Sequence, residues 1–278
     1  MTITQRLAKV KHIALDMDGT IYRGGTLFDF TKPFLATLES LNIGHTFLTN
    51  NSSKSVKDYR SHLMKMGIDS GTDQIYTSTH ATIAHLRSVL PDVRTLFALG
   101  TRSMQDELAA AGFEIVQTLP TESSSEPDAL IVGFDTALTY PRLCAAAYWV
   151  SKGKPYVASH PDPVCPTDLP TVLVDCGAIC DCIASATGRR PDAVVGKPDP
   201  FMLHELMTRH QLGPQELVMA GDRLTTDIAM ARAAGTIGVL VLTGVSTADE
   251  ARAAAQLPDL VVADLGELGA KLRAARSS

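Results

Sequence analysis

The sequence predicts an α/β protein in which helices cover a parallel β-sheet and a second α/β unit is inserted into the first. Short apolar runs alternate with helical segments near the start of the chain, a pattern typical of β-α-β units. A middle region of about a hundred residues repeats this alternation and is long enough to form its own core. After the middle region, the features of the first region resume.

The first region opens on the stretch 12–20, HIALDMDGT, which we interpret as a buried strand followed by a turn. Its apolar run is short and continuous, as in strands that are buried on both faces. A helix over 32–42 follows, because Pro33 suits a first helical turn and the segment carries an apolar stripe. The next expected elements are a strand over 45–49 and a helix over 54–66.

The middle and last regions continue the alternation. In the middle region we expect helices over 81–90, 102–111, 140–152 and 176–186 and strands over 94–99, 113–116, 129–133 and 156–159. Two exposed loops, over 118–127 and 160–170, interrupt these elements, since both are rich in turn-forming residues. In the last region we expect strands over 193–195, 217–220, 237–242 and 260–262 and helices over 201–210 and 224–234.

Asp16 and Asp18 lie where the first strand ends and are followed by Gly19. In open α/β sheets the ligand crevice lies outside the carboxyl ends of the strands. Beside a divalent cation, one such aspartate can attack phosphorus while the other moves protons. The alternative is a strand end with an ordinary Asx-Gly turn, which needs no chemistry. A calcium loop is excluded, because it needs Gly at its sixth position and Glu at its twelfth, whereas this chain has Gly at the fourth and Leu27 at the twelfth.

Three further polar segments follow predicted strands or open helices, namely TNNS at 49–52, GKP at 196–198 and GDRLTTD at 221–227. In a parallel sheet all such ends lie at one edge, so these groups can converge. Thr49 offers a hydroxyl and backbone N–H groups at a helix entrance, where phosphate binds readily. Lys197 offers a positive charge that would keep Asp16 ionised. Taken singly, the segments suit a helix N-cap and turns, but together they indicate one site with the oxygen ligands that Mg²⁺ prefers.

Composition and charge exclude several classes of protein. The 278 residues are 45% hydrophobic and 20% charged, which is ordinary for a globular protein with a sizeable core. The formal net charge of −5 gives no general positive field for nucleic acid. No signal-peptide run is seen at the start, and no stretch approaches the roughly 20 apolar residues of a membrane span. The five cysteines are odd in number and unevenly spaced, so we expect a reducing, cytoplasmic location.

The four polar segments, DMDGT at 16–20, TNNS, GKP and GD with TD, resemble the four motifs of the haloacid dehalogenase (HAD) superfamily. Thr49 and Lys197 lie 148 residues apart (197 − 49), so a large cap domain is expected in this gap. This spacing, with CGAIC at 176–180 and GVS at 244–246, resembles the NagD-like and 4-nitrophenylphosphatase branch. The resemblance implies a Rossmann-like parallel-sheet core formed by residues 1–79 and 190–278, and an inserted α/β cap formed by residues 80–189.

The resemblance also implies a role for each motif residue. Asp16 would be the nucleophile that forms an aspartyl-phosphate, and Asp18 would protonate the leaving alcohol and then activate water. Asp16, the backbone carbonyl of Asp18 and Asp222 would hold Mg²⁺. Asp227 would support Asp222 or a metal-bound water. The phosphate would be bound by Thr49, Asn50, Asn51 and Lys197.

These observations predict a Mg²⁺-dependent phosphatase that hydrolyses small phosphomonoesters, including sugar phosphates. A phosphotransferase or mutase on the same fold, and a non-catalytic protein that binds phosphorylated metabolites, are the alternatives. Because the core would recognise only phosphate, cap residues should choose the substrate, with His160, Asp162, Asp175 and Cys176 as candidates. Asp175 equally suits the N-cap of the helix that follows it. The resemblance and the frequency of two-fold assemblies favour a homodimer.

Overall fold

The computed structural model describes residues 1–116, 120, 125–165 and 171–277, and the chain divides into two compact units. The first unit consists of Met1–Thr49, Arg60–Tyr76 and Lys197–Ser278. The second consists of Asn50–Tyr59 and Thr77–Gly196. The two loops predicted over 118–127 and 160–170 fall partly outside the described residues.

Alternating strands and helices run through both units. The strands of the described residues are β1 (His12–Asp16), β2 (Tyr22–Arg23), β3 (Thr26–Leu27), β4 (Gly44–Thr49), β5 (Ile75–Thr77), β6 (Thr95–Leu99), β7 (Glu114–Ile115), β8 (Ala129–Val132), β9 (Tyr156–Ala158), β10 (Val164–Cys165), β11 (Leu173–Val174), β12 (Ala193–Val194), β13 (Leu217–Gly221), β14 (Ile237–Val241) and β15 (Leu260–Val262). The α-helices are α1 (Ile3–Leu7), α2 (Thr31–Ser40), α3 (Val56–Lys65), α4 (Ser78–Val89), α5 (Arg102–Ala110), α6 (Tyr140–Ser151), α7 (Cys176–Thr187), α8 (Phe201–His210), α9 (Ala229–Ala233), α10 (Ala248–Ala253) and α11 (Leu265–Arg276).

The first unit contains a six-stranded sheet in the order β15-β14-β13-β1-β4-β5. Counted in chain order within the sheet, this is the 3-2-1-4-5-6 arrangement of a Rossmann fold. The pairings from β15 through to β4 are all parallel. Every residue of β1, β13 and β14 is buried, as expected for apolar strands covered on both faces. The strand order reverses between β1 and β13, so the ligand crevice is expected at their carboxyl ends.

The second unit contains a five-stranded parallel sheet in the order β12-β9-β8-β6-β7. Counted in chain order, this is the 2-1-3-4-5 arrangement of flavodoxin-like sheets, in which the order reverses between β6 and β8. Trp149 of α6, Tyr156 of β9 and Ile179 of α7 belong to one buried hydrophobic cluster. The prediction that the middle region forms an α/β unit with its own core is therefore confirmed.

The observed units differ from the predicted boundaries at two places. The inserted unit was expected to end at residue 189, but Ala193 and Val194 pair with Val157 and Ala158 of β9. The second unit therefore extends to Gly196, and it also includes Asn50–Tyr59, which were expected in the core. The run at 193–195 was correctly predicted to be a strand, but its composition does not indicate which of two sheets it joins.

The helix predicted over 224–234 is not uniform. It begins with a π-helical turn, Leu224–Ile228, and becomes α-helical only in α9. In this turn the N–H of Ile228 reaches the carbonyl of Arg223, five residues back, at 3.2 Å. Such wide turns occur frequently at functional sites, because they turn a side chain away from its regular helical direction. The side chain displaced here is that of Asp227, which is fully buried.

Candidate active site

The crevice of the first unit is formed by the ends of two neighbouring strands. Asp16 is the last residue of β1, and Asp222 directly follows the last residue of β13. Leu15 lies opposite Ala220 in the parallel register, so the two aspartates leave the sheet side by side. The sequence places both acids here because each follows an uninterrupted apolar strand, and the topology then joins those strands at the point where the order reverses.

Asp16 is 8% exposed and is held on both of its oxygens. Lys197 Nζ donates to Oδ1 at 2.5 Å, and the Thr20 hydroxyl donates to Oδ2 at 3.2 Å. The side chain of Thr20 is fully buried. Sequence reasoning quoted Thr20 as part of the first motif but did not assign it a role. Thr20 follows Asp16 by four residues across a glycine turn, and this spacing is the signal that could have indicated a role for it.

Lys197 bridges two carboxylates of the same unit. Besides Asp16, its ammonium group donates to Asp227 Oδ1 at 2.7 Å, and Lys197 itself is 4% exposed. Burial alone would lower the pKa of the ammonium group, but the charges of Asp16 and Asp227 outweigh burial and raise the pKa. Lys197 therefore stays positively charged at neutral pH, as a group that binds phosphate must.

Asp222 is 1% exposed and lies between two glycines. A Cβ atom on Gly19 would approach Asp222 Oδ2 to 2.6 Å, and one on Gly244 would overlap the same oxygen. The N–H of Val245 donates to Oδ2 at 2.7 Å, whereas the buried Oδ1 has no hydrogen-bond partner among the described residues. Burial, and then the charges of Asp16 and Asp227, raise the pKa of Asp222 to about 7.

Asp227 pairs with Lys197 and accepts a hydrogen bond from the Arg223 N–H at 3.0 Å. It also offers an oxygen within 4.8 Å of those of Asp16 and Asp222, and its support of Asp222 or of a metal-bound water stays a prediction. The π-helical turn and the absence of a side chain at Gly221 allow this position, since a Cβ there would overlap the Asp227 carboxyl group. Burial raises the pKa of Asp227 to about 6, although the Lys197 charge acts in the opposite direction.

The residues present fit a divalent cation. Asp16, Asp222 and Asp227 each offer one oxygen, and these oxygens lie within 4.8 Å of one another. When all three are ionised, Lys197 leaves two of their negative charges unbalanced. After burial, which is the largest cause, this negative charge contributes to the raised pKa values of Asp222 and Asp227. Asp222 Oδ1 is a buried acceptor with no partner in the part of the chain that the structure describes. Hard carboxylate oxygens of this kind are the ligands that Mg²⁺ prefers.

Asp18 lies outside this carboxylate cluster. Its side chain is exposed, whereas Asp16 and Asp222 are buried. The chain turns sharply after it, because Gly19 adopts φ +88° and its N–H donates to the carbonyl of Tyr22 at 2.7 Å. An exposed carboxylate at the edge of the crevice can exchange protons with water and with a leaving group, which is the chemistry expected of Asp18.

The second motif is divided between the two units. Thr49 is the buried last residue of β4, the neighbour of β1 in the first unit. Asn50 and Asn51 belong to the second unit. The Asn50 side-chain amide donates to Asp162 Oδ2 at 3.0 Å, and Asn51 Oδ1 accepts from the N–H and hydroxyl of Ser53. Among the predicted phosphate ligands, the structure therefore places Thr49 and Lys197 in the unit that carries Asp16.

Three of the four candidates for substrate recognition are interior residues of the second unit, and the fourth, Asp162, is partly exposed. His160 and Cys176 are 0% exposed, and Asp175 is 3% exposed. Side chains this deeply buried show no exposed surface in the structure, and a contact with substrate stays a prediction. His160 was also expected in an exposed loop, but its ring hydrogen-bonds Asp175 Oδ1 at 2.9 Å. The N-cap prediction for Asp175 is confirmed, since it accepts from the Cys176 N–H at 2.6 Å.

The loop after β14 supports Asp222 in a way that sequence reasoning did not foresee. The N–H of Ser246 donates to the backbone carbonyl of Asp222 at 3.0 Å, and the Thr243 hydroxyl donates to the Gly19 carbonyl at 2.6 Å. The segment GVS was noted only for its resemblance to a family. Its position after a buried strand was the signal for a supporting role.

No helix among the described residues is both long and apolar enough to cross a membrane.

Comparison with family models and curated proteins relates the chain to known phosphatases. A model described as haloacid dehalogenase-like hydrolase matches residues 13–114, and a second, HAD-hydrolase-like model matches residues 194–268. The chain is 30% identical over 258 residues to an acid sugar phosphatase of Staphylococcus saprophyticus, covering 93% of this chain and 96% of that protein.

Solved structures show the same relationship across almost the whole chain. A 4-nitrophenylphosphatase from Thermotoga maritima is 37% identical with a TM-score of 0.87, covering 95% of this chain and 98% of that one. A glycerol phosphate phosphatase from Mycobacterium tuberculosis, solved in complex with magnesium, is 29% identical with a TM-score of 0.85 and covers 96% of this chain and 77% of that one. Proteins of the NagD type also match.

Proposed function

This chain belongs to the haloacid dehalogenase-like hydrolases, as a phosphatase related to NagD and the 4-nitrophenylphosphatases, and we propose that it hydrolyses small sugar or polyol phosphates with Mg²⁺ through an aspartyl-phosphate. The observation that carries this proposal is the convergence of Asp16, Lys197 and Asp222 in one crevice. Residues more than 180 positions apart bring together a nucleophile, a phosphate-binding cation and a set of metal ligands.

In the first half of the reaction, a carboxylate oxygen of Asp16 attacks phosphorus. A bond forms between this oxygen and phosphorus while the bond from phosphorus to the alcohol oxygen breaks. Asp18 gives its proton to the departing alcohol. Lys197 and the hydroxyl of Thr49 bind oxygens of the transferred group, and the ammonium charge offsets negative charge that develops there.

In the second half, the aspartyl-phosphate is hydrolysed, and Asp18 acts as a base where it first acted as an acid. Asp18, now ionised, takes a proton from water, and the water oxygen attacks the phosphorus of the aspartyl-phosphate. Inorganic phosphate leaves and the Asp16 carboxylate is regenerated. Thr20 keeps the nucleophile in a fixed orientation through its hydrogen bond to Oδ2, which reduces the loss of rotational freedom on reaching the transition state.

We assign the cation ligands to Asp16, Asp222 and the backbone carbonyl of Asp18, with Asp227 beside them. A Mg²⁺ ion there would supply charge stabilisation for the phosphate oxygens. The three carboxylate oxygens within 4.8 Å of one another and the buried, unpartnered Asp222 Oδ1 support this assignment. The magnesium complex of the glycerol phosphate phosphatase is a property of that relative, and it favours the same cation here.

The substrate class follows from chemistry and from the relatives. Groups that bind phosphate and metal recognise the phosphate ester and not the alcohol part, so several small phosphomonoesters should react. Relatives named acid sugar phosphatase and glycerol phosphate phosphatase make polyhydroxylated alcohols the preferred leaving groups. A homodimer and a cytoplasmic location remain predictions.

The test is release of 4-nitrophenol from 4-nitrophenyl phosphate by the wild-type protein with Mg²⁺ and with EDTA. We expect activity only with Mg²⁺, and a loss of at least about 10³-fold in Asp16→Asn, as for other enzymes that lose a nucleophile. Asp69→Asn, which changes an exposed acid of the same unit, is the matched control and should retain full activity. Full activity of Asp16→Asn, or of the wild type in EDTA, would overturn the mechanism. A panel of phosphorylated sugars and polyols would then rank substrates.

A further inference from the structure

A continuous chain of buried polar side chains crosses the second unit. Asp175 Oδ1 lies 2.9 Å from His160 Nε2, and His160 Nδ1 lies 2.8 Å from Ser159 Oγ. The hydroxyls of Ser159 and Ser52 are 3.3 Å apart, and Ser52 Oγ accepts from the N–H of Phe134 at 2.9 Å. We call Asp175, His160, Ser159 and Ser52 the buried polar chain. None of these four residues is more than 3% exposed.

The buried polar chain ends in the loop that follows β4, residues 50–53. Ser52 lies in this loop, and the side chains around it hold its neighbours as well. The hydroxyl of Ser78 donates to the carbonyl of Asn50 at 2.5 Å, and the hydroxyl of Thr101 donates to the carbonyl of Ser53 at 2.9 Å. The loop that carries two predicted phosphate ligands is therefore anchored by hydroxyl groups along its length.

The loop occupies the ligand crevice of the second sheet. That crevice lies at the carboxyl ends of β6 and β8, where the strand order reverses. Thr101 comes two residues after the end of β6, and Gly133 and Phe134 directly follow β8. A Cβ atom on Gly133 would meet Ser52 Oγ at 2.7 Å, so the glycine makes room for the loop. A doubly wound sheet commonly binds a ligand at this position, and here it binds the protein's own chain.

We propose that the buried polar chain positions the 50–53 loop for phosphate binding, so that Ser52, Ser159, His160 and Asp175 are positioning residues for the reaction. This inference rests on the proposed function and on the sequence-based prediction that Asn50 and Asn51 bind the phosphate. Burying four polar groups is costly unless each is hydrogen-bonded. Here the hydrogen bonds join the helix cap at Asp175 to the loop at Ser52, and the loop thereby acquires one defined conformation.

The position of Asn50 is the point at which the buried polar chain can affect chemistry. Asn50 is 6% exposed and directly follows Thr49, the phosphate ligand at the end of β4. Its amide is oriented by Asp162 Oδ2 and its carbonyl by Ser78. A shift of the loop at Ser52 is transmitted over two peptide bonds to Asn50. Displacements of about 1 Å at a phosphate-binding group can reduce the rate by about 10²-fold.

The test compares Ser52→Ala and Ser159→Ala with Thr187→Ala. Thr187 lies at the end of α7 in the same unit and donates to the carbonyl of Ile183, away from the loop. The readouts are KM and kcat for 4-nitrophenyl phosphate, the inhibition constant of inorganic phosphate, and Tm. For both serine variants we expect KM and the inhibition constant to rise together by about 3- to 10-fold, the effect of losing one hydrogen bond. Thr187→Ala should lower Tm only.

A second comparison uses the double variant Ser52→Ala/Ser159→Ala. If the two hydroxyls act in one chain, the double variant should weaken phosphate binding by no more than the larger single effect. Equal losses of Tm in all three single variants, with KM and phosphate inhibition unchanged, would overturn the inference. Multiplicative effects in the double variant would also overturn it. Ser159→Ala keeps the test valid if Ser52→Ala does not fold.

The outcomes also separate this inference from the proposed function. If the wild-type protein does not hydrolyse phosphomonoesters, the proposed function fails, and calorimetric binding of inorganic phosphate to the same variants still tests the positioning role. If the wild type neither hydrolyses phosphomonoesters nor binds phosphate, both fail. If the wild type is active and the serine variants bind phosphate normally, only the positioning role fails.

Discussion

Lys197 Nζ lies 2.5 Å from Asp16 Oδ1, although the two residues are 181 positions apart in the chain. Both side chains are almost fully buried, so their attraction is little screened by water. The same ammonium group also contacts Asp227. This arrangement places a fixed positive charge beside the proposed nucleophile before any substrate arrives.

Replacing Lys197 should affect both activity and stability. In Lys197→Met we expect hydrolysis of 4-nitrophenyl phosphate to fall by about 10²-fold or more. Removing one partner of a buried ion pair also costs about 3–5 kcal/mol of unfolding free energy, and the loss should be smaller at pH 5, where the carboxyl groups can take up protons. Urea denaturation at pH 5 and pH 8 measures this difference. Lys271→Met, at an exposed pair with Glu267, should change neither property, and an equal effect there would contradict the assignment.

The raised pKa of Asp222 predicts how stability depends on pH in the metal-free protein. Its pKa is about 7 in the folded protein, against 3.8 for an ordinary aspartate. The folded state therefore holds a proton more tightly than the unfolded chain, and this contribution, complete below pH 3.8, is lost as pH rises through about 7. In EDTA, Tm should fall between pH 5 and pH 8, and Asp227, with a pKa of about 6, adds to the fall.

Magnesium should reverse this trend, because the cation competes with the proton for the same carboxylates. Thermal unfolding with and without Mg²⁺ should show a larger rise in Tm at pH 8 than at pH 6. In Asp222→Asn the metal-free slope should become flatter and the Mg²⁺-dependent rise should disappear. An unchanged rise in that variant would contradict the placement of the cation.

Gly244, which lies beside Asp222, provides a second test of the site. A Cβ atom at Gly244 would overlap Asp222 Oδ2, so Gly244→Ala must displace this carboxylate. We expect kcat to fall by about 10- to 100-fold, the effect of a small misplacement of a catalytic group. Gly25→Ala is the control, because its Cβ would have no neighbour within 4 Å. Comparable activity of the two variants would show that Asp222 is not required in its observed position.

A histidine at the other end of β1 predicts acid sensitivity. Burial, followed by the nearby charges of His210 and His45, lowers the pKa of His12 from 6.5 to about 3. Its Nε2 lies 2.9 Å from the Thr46 hydroxyl, and its ring stacks on His210 with centroids 4.3 Å apart. The contribution of a neutral His12 to stability is complete above pH 6.5 and is lost as pH falls towards 3.

We therefore expect His12→Gln to reduce the fall in unfolding free energy between pH 6.5 and pH 4.5. Urea denaturation across this range measures the slope, which is the relevant quantity because the substitution also changes packing. His204→Gln, at an exposed position of α8, should leave the slope unchanged. Identical slopes in wild type and His12→Gln would show that His12 does not control acid sensitivity.

Much of the fold could be predicted because its signals are local. The apolar strand that ends at Asp16 and the one before Asp222 were both recognised from short buried runs followed by acids. Their convergence followed from the rule for parallel sheets. By contrast, the sheet that β12 joins depends on pairing with residues of β9, and a run of Ala and Val carries no information on its partner.

The site was predicted in its composition but not in all its contacts. The resemblance implied that Asp227 supports Asp222 or a metal-bound water, but it did not indicate the ion pair that Asp227 forms with Lys197 from within a π-helical turn. His160 was interpreted as a residue of an exposed loop because a proline-rich segment follows it. Its burial depends on Ser159 and Asp175, and hydrogen bonds between segments far apart cannot be predicted from spacing alone.

The packing of residues 50–59 against the ends of β6 and β8 has a consequence for the exchange of cap domains between related enzymes. A fragment that consists of residues 77–196 alone would lack residues 50–59 and would leave an empty groove at Gly133. The Phe134 N–H and the Thr101 hydroxyl would then lose their hydrogen-bond partners. The inserted segment is therefore not a self-sufficient module. A chimaera that transplants this cap should fold well only if the donor's residues 50–59 are exchanged with it. Because residues 60–76 belong to the first unit, such an exchange requires four crossovers in place of two.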